Sequence, residues 1–290
     1  HLSMRNRQLI IERKENETTT VSIPIEDIGL VILEHPHITV TMAALQELAD
    51  EKAAVITCNS KYMPSAMFLP YEANTEQTER FRNQIAISEP LKKQLWKQTV
   101  QSKIENQAHV LDQLQLPAER LFYLIEKVKS GDTTNCEGQA AAYYWTTIFG
   151  ADFFRDQSLS SPNAQLNYGY AILRSVVARA LTSTGLHPSL GIFHRNKYNA
   201  FCLADDIMEP YRPLVDKLVL TLIKEQPSEV LTKDQKIELL KIPQLDVDIQ
   251  ELTRPLFHAV SISTAGLYRC FICEARKIPF PVLAHGILPF

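Results

Sequence analysis

The side chains best equipped for chemistry crowd into residues 185–216, which carry His194 followed by Asp205, Asp206 and Glu209. Between them lie a short polar break, Arg195-Asn196-Lys197, and an apolar, strand-like run. Asp206 and Glu209 are three positions apart, so a helix running on from Ile207 would put both carboxylates on one face near its first turn. Pro210 agrees with that placement, because the first N–H groups of a helix have no intrahelical partner to lose. One imidazole and two carboxylates at a helix start form a ligand set for a hard divalent cation. The same residues admit a plainer reading. Asp206 and Glu209 also have the spacing of a capping box, and His194 beside Phe193 also reads as a histidine packed in a core. Residue types alone leave both open. Asp205 points about 100° away on such a helix and is left out of the ligand set.

A further carboxylate, Glu137, opens a segment in which Gly138, Ala140, Ala141 and Ala142 are small enough to let another helix approach closely. A Glu in a first helical turn is equally at home complementing the helix dipole, so it too has two readings.

These side chains need a scaffold, and the hydrophobic period says what it is. Over residues 5–40 apolar and β-branched residues alternate in runs at 8–12, 20–25, 29–34 and 38–40, separated by polar turns, which predicts strands. Thr41 can cap a helix over 42–52, a strand follows at 53–58, and 62–70 offers one more. Residues 71–78 are polar and aperiodic, which marks a linker. Beyond it the period becomes 3.6. Helices are expected at 89–114, from Pro117 to 128, from about 134 to 149 with Gly150 as stop, at 163–184 ended by Gly185, at 211–224, and at 232–240. A long or broken helix is expected over 246–277, interrupted at Pro255. The fold class is therefore α+β: a small β-rich amino-terminal domain, residues 4–73, then an all-α carboxy-terminal domain, residues 79–284, which carries the candidate ligands. His1-Leu2-Ser3 read as extraneous to the fold, and the residue types leave both readings open for the tail from 284 to 290.

Composition narrows the function classes. No apolar run approaches the roughly 20 residues of a membrane span, and no signal peptide precedes the first strand. Five scattered cysteines fit reduced thiols and a cytoplasmic location, and Cys270-x-x-Cys273, without a second pair, reads as helix packing. Formal net charge is −3, but its distribution is uneven. Residues 4–73 hold 6 Lys/Arg against 10 Asp/Glu, whereas 165–217 hold 6 against 4, the minority acids being largely the candidate ligands. A bound cation would leave that second region locally positive.

Four pieces, taken together, resemble the CRISPR-associated integrase family, the catalytic subunit of the spacer-acquisition complex, and look most like its type II branch. They are residues 136–143 (CEGQAAAY), 166–173 (LNYGYAIL), 185–194 (GLHPSLGIFH) and 206–216 (DIMEPYRPLVD), in the family's order and spacing. The resemblance implies that Glu137, His194 and Glu209 bind the metal, with Asp206 supporting the same centre. It implies strand transfer, in which the 3′-hydroxyl of a captured DNA fragment attacks the repeat array, without a covalent enzyme intermediate or ATP. Two carboxylates and an imidazole suit Mg²⁺ or Mn²⁺, the nitrogen favouring Mn²⁺. Arg195 and Lys197 are the first candidates for flanking phosphates, with Arg174, Arg179 and Arg212 behind them, and Tyr168 and Tyr170 are candidates to brace splayed bases. The implied partners are double-stranded DNA (spacer precursor and repeat array), a second copy of the chain joined through the acidic β-rich domain, a small non-catalytic subunit and the type II effector nuclease, with no membrane. Two other classes remain in view: a repair-type metal-dependent nuclease that cannot join strands, and a non-catalytic DNA-binding scaffold whose acids only cap helices.

Overall fold

The computed structural model describes residues 1–14, 18–156 and 160–283. It is α+β, with strands in an amino-terminal unit, His1–Gln77, and mostly helices in the following unit, Thr78–Phe290.

In the first unit, β1 (Leu2–Arg5), β2 (Gln8–Lys14) and β3 (Thr18–Pro24) form an antiparallel meander. A second sheet holds β4 (Leu30–Leu33), β5 (Ala54–Cys58) and β6 (Pro64–Phe68). β4 and β5 run parallel because α1 (Met42–Asp50) crosses between them. Thr41 accepts a hydrogen bond from the Ala44 N–H and starts that helix, and Ala44 and Leu48, four apart, face the core. Leu2, Leu9, Ile25 and Val55 complete that core. Leu2 and Ser3 therefore belong to β1 and are part of the fold, contrary to the reading of the first residues as extraneous. The run at 38–40 makes only an isolated bridge, Leu2 to Val40, instead of a strand. The tail from 284 to 290 lies outside the described residues.

The second unit contains α2 (Gln77–Ala86), α3 (Glu89–Gln113), α4 (Glu119–Lys127), α5 (Cys136–Phe149), α6 (Asn163–Ser183), α7 (Cys202–Met208), α8 (Arg212–Glu225), α9 (Lys233–Leu239) and α10 (Leu256–Phe271). α2 carries little apolar periodicity and went unrecognised in the sequence. α3 packs against α4, α5 and α8, while α6 packs against α7, α8, α9 and α10. Two local differences from the sequence reading stand out. The run leading to Asp205 is helical from Cys202, because Leu203 and Ala204 donate to the Pro188 carbonyl and the chain turns there at once. Residues 246–255 form a hairpin, β7 (Asp246–Ile249) with β8 (Leu252–Pro255), before α10 begins. Val247 and Ile249 are buried while Asp246 is exposed, a period of two, and Gln250 and Glu251 take the positive φ of a tight two-residue turn. No helix among the described residues is long and apolar enough to cross a membrane, and none of the described cysteines is in a disulfide.

The α6–α8 contact depends on a missing side chain. A Cβ on Gly169 would lie 2.6 Å from Cγ1 of Val215, itself fully buried. Gly169→Ala is expected to destabilise the helical unit by about 1–3 kcal/mol through overpacking, seen as a lower midpoint in thermal or urea unfolding.

Candidate active site

The site begins with a buried carboxylate. α6 ends at Gly185, whose φ of 79° turns the chain into the loop that carries His194. Gln84 on α2, itself buried, accepts from the His187 N–H at 2.8 Å and donates to the carbonyls of His187 and Leu190, so the loop is clamped from outside. From inside, Asp206 accepts the backbone N–H groups of Ile192 (2.7 Å), Phe193 (3.0 Å) and His194 (3.1 Å). Its Oδ1 also lies 2.6 Å from Nδ1 of His194. The loop can wrap this closely because residue 191 is glycine: a Cβ there would sit 2.4 Å from the His194 carbonyl and 2.9 Å from Asp206 Oδ2. The ring of Phe193 stacks on Trp96 of α3 with centroids 4.1 Å apart and planes 2° from parallel, and His194 meets Trp96 edge-on.

This overturns two readings of the sequence. Asp206 is not a capping residue, since α7 starts at Cys202 behind Phe201, which makes no side-chain cap. Nor do its oxygens face the open site. Both are taken, so Asp206 acts through His194 as a positioning residue. Nδ1 is committed to the carboxylate, which leaves Nε2 as the nitrogen for other work. The hydrogen bond to Asp206 holds the His194 pKa above the usual imidazole range, against the opposing effect of burial. Asp206 is raised by burial, with His194 and the backbone N–H groups pulling the other way.

The second half of the site comes from three other elements. At the start of α5 the backbone is satisfied by neighbours: Asp132 accepts from Cys136 and Glu137, and Asn135 accepts from Gly138. Glu137 is thus released from helix-end duty, and its Oε1 lies 2.6 Å from the Nζ of Lys103 on α3. The same ammonium lies 2.6 Å from Oε2 of Glu209. Glu209 opens a 3₁₀ turn, Glu209–Tyr211, between α7 and α8, and its Oε1 pairs with Arg212 at 3.1 Å. Asn106, one turn beyond Lys103, donates to the Pro210 carbonyl at 2.8 Å and fixes that turn on α3. Burial alone would favour the neutral amine of Lys103, but Glu209 and Glu137 outweigh it and its pKa is raised. Burial likewise opposes ionisation of Glu209, but Arg212 and Lys103 prevail and its pKa is lowered.

Among the described residues no three His, Cys, Asp or Glu side chains already converge as a metal-ligand group. Two of the three candidates do meet, and the atom on which Glu137 and Glu209 meet is the Lys103 ammonium. That ammonium is also the test of fit. Oxygens from two different helical segments meet one cationic atom, so the site is built for positive charge. Oε2 of Glu209 is buried and makes no hydrogen bond of good geometry even at 2.6 Å from Lys103. The charge of Glu209 also acts on His194. The donor set of Glu137, Glu209 and His194 suits a divalent cation such as Mg²⁺ or Mn²⁺.

The remaining candidates separate by position. Arg195 is exposed, pairs with Glu89 at 2.6 Å, and lines two clefts beside the site. One, of about 370 Å³, also includes Gln84, Lys92 and His194; the other, of about 420 Å³, includes Lys93, Trp96 and Phe193. Lys197 rests over the exposed Tyr198 ring. Arg174 pairs with Asp205 at 2.6 Å, and Arg212 covers Tyr170 besides pairing with Glu209. Tyr168 is 2 % exposed with Lys236 over its ring, so as a base-stacking platform it is a misreading: it packs α6 against α9. Tyr170 is buried too, hydrogen-bonded to Asp216. Arg179 stacks on Phe257 of α10, a packing contact between helices. Sequence reasoning passed over Lys103, Asn106 and Trp96. The available signal was a lysine and an asparagine on the stripe that Trp96 and Val100 mark as the buried face of α3.

Residues 1–238 match the family described as CRISPR associated protein Cas1. The chain is 42% identical over 252 residues to the CRISPR-associated endonuclease Cas1 of Neisseria meningitidis serogroup C, covering 86% of this chain and 82% of that protein. It is 28% identical over 247 residues to a CRISPR-associated endonuclease Cas1 of Pyrobaculum aerophilum, covering 80% and 83%. Among solved structures, a casposase bound to integration product superposes with a TM-score of 0.79 at 20% identity, over 96% of this chain and 90% of that one. A Cas1 protein from Thermotoga maritima superposes with a TM-score of 0.74 at 17% identity, over 99% and 97%. These last two likenesses are of fold.

Two outcomes follow from the site's electrostatics. Asp206→Asn removes the carboxylate that raises His194, so the imidazole should titrate at lower pH than in the parent, read by NMR of the metal-free protein. Asp216 is buried and pushed up to about 7, with Tyr170 and Arg212 opposing the shift. An unfolded Asp titrates near 3.9, so folding favours its neutral form. The resulting stabilisation is complete below about pH 4 and is lost as pH rises through about 7. Asp216→Asn should therefore flatten the fall in stability between pH 5 and 8, by on the order of 3 kcal/mol in denaturant titrations at the two pH values.

Proposed function

The chain belongs to the CRISPR-associated Cas1 family, and from that premise we propose that it is a divalent-metal-dependent DNA integrase and endonuclease. Its relatives are CRISPR-associated endonucleases, and the reaction proposed here is transfer of a DNA 3′-hydroxyl to a phosphodiester of the repeat array. The observation that carries the reading is the convergence of Glu137 and Glu209 on one cationic point beside a histidine whose Nδ1 is already committed.

The ligands proposed are Glu137, Glu209 and Nε2 of His194. A divalent cation held there supplies Lewis acidity, activating the attacking hydroxyl and offsetting the charge that develops on the phosphate. The chain's own part is positioning. Asp206 keeps the imidazole in one tautomer and orientation. Among the described residues Arg195 is held by an exposed ion pair to Glu89, a weak interaction in water, so a phosphate can draw it away at little cost. With Lys197 it would hold the DNA backbone on either side of the reacting bond. Arg212 and Arg174 are part of the ion-pair framework around Glu209 and Asp205, and their proposed contribution to DNA binding is to offset those acids so that they do not repel phosphate.

Joining both ends of a fragment needs two centres, hence two copies and a subunit to space them. A solved structure of related fold is a Cas6-RT-Cas1–Cas2 complex, and a small partner of that kind is the second component proposed. The β-rich unit is the proposed dimer face, supported by its acidic balance and by Met42 and Phe68, which it leaves exposed.

The test is strand transfer of a 3′-hydroxyl duplex into a supercoiled plasmid carrying a repeat, with Mn²⁺ or Mg²⁺ and the partner subunit. Glu137→Gln and His194→Ala, checked by thermal melting to be folded, should each lower joined product by more than the roughly 10–100-fold that loss of a supporting residue costs. Cleavage without joining by the parent chain would favour a repair-type nuclease. Undiminished activity in both variants would leave a scaffold whose acids are structural.

A further inference from the structure

Lys103 is a charged group that the proposed chemistry does not use, although it sits at the centre of the site. It lies on α3 two turns beyond Trp96, its side chain is 11% exposed, and its ammonium is 2.6 Å from Glu137 on one side and Glu209 on the other. Two carboxylates brought this close from different helices repel, and an ammonium buried here would be strongly unfavourable without them. Each therefore requires the other in the metal-free protein. With Arg212 on Glu209, the four charges of the cluster sum to zero.

We propose that Lys103 is the resident counterion of the Glu137–Glu209 pair and exchanges with the divalent cation, so that the metal is held tightly only when substrate phosphate joins the site. The proposal rests on the metal-centre reading given above. The ammonium and a metal ion cannot share one point, because Mg²⁺ takes its oxygens at about 2.0–2.1 Å and two cations there would repel. Entry of the metal therefore withdraws Lys103. The flexible four-carbon stem of a lysine allows that, and a DNA phosphate gives the displaced ammonium a new partner. An incoming divalent ion otherwise leaves the cluster with excess positive charge, which phosphate also relieves. Metal and DNA then strengthen each other's binding by the same factor. A metal centre that closes only over its substrate is kept from acting as an open nuclease.

The experiment is calorimetric titration of Mn²⁺ into the full metal-free chain, with and without a 3′-hydroxyl duplex. Lys103→Met should bind Mn²⁺ roughly tenfold more tightly than the parent without DNA, within the 5–150-fold range typical of such couplings, while Lys103→Arg stays near the parent. DNA should tighten Mn²⁺ binding in the parent and have a smaller effect in Lys103→Met. Equal or weaker Mn²⁺ binding by Lys103→Met overturns the exchange. Glu209→Gln separates the two claims. If it abolishes binding while Lys103→Met gains nothing, only the exchange fails; if it leaves binding unchanged, the metal centre itself is wrong and the exchange falls with it. Should Lys103→Met not fold, ¹⁵N spectra of the lysine ammonium groups in the parent decide. A buried ammonium resonance that moves or vanishes on adding Mg²⁺ and duplex supports exchange, and one that persists unchanged at saturation overturns it.

Discussion

Everything at this centre depends on burying one carboxylate, that of Asp206. A lone ionised carboxylate in a protein interior is very costly, and the cost is offset here by four donors: three successive backbone N–H groups and an imidazole. Meeting that demand dictates the loop. Residues 192–194 must curl so that consecutive amides face one way, Gly191 must lack a side chain, and His194 must present Nδ1. The histidine is thereby aimed before any ligand arrives, and preorganisation of this kind is what the proposed metal-binding role requires.

The other constraint is α3. One stripe of that helix supplies Trp96 beneath Phe193 and His194, Lys103 between the two glutamates, and Asn106 under the Glu209 turn. A single rigid element thus registers the loop, α5 and the α7–α8 junction against one another. Loosening any of the three would move the proposed ligands, which come from sequence positions as distant as 137 and 209. The charges are arranged with equal economy. Glu137, Glu209, Lys103 and Arg212 cancel, so the interior tolerates acids that a metal would otherwise have to stabilise.

Much of this was legible in the residues, and the limits are instructive. The change from period two to period 3.6 across the polar stretch 71–78 separates strands from helices, and helix ends at Gly150 and Gly185 were marked by glycine. Glu137, His194, Asp206 and Glu209 stood out in the sequence, but not their pairing: Glu137 meets Glu209 through Lys103, and His194 meets Asp206. Asp206 and Glu209 share a spacing, yet one faces three backbone amides and the other a lysine, and only the loop's path decides that. Lys103 was hidden because a lysine within a helix ordinarily marks the solvent side, whereas here it lies on the buried stripe beside Val100 and Ile104. Tyr168 erred in the opposite direction, an aromatic in a promising motif that is simply core. The hairpin at 246–255 was lost to Pro255, which reads as a helix break and in fact ends a strand.

The central claim is that Glu137, His194 and Glu209 hold one divalent cation. The most direct measurement is anomalous X-ray diffraction from crystals of the full chain grown with Mn²⁺ and a 3′-hydroxyl duplex. The account predicts a single strong peak in contact with both carboxylates and with Nε2 of His194, and Lys103 turned away from them. No peak at that point under saturating Mn²⁺, with Lys103 still bridging Glu137 and Glu209, would contradict it.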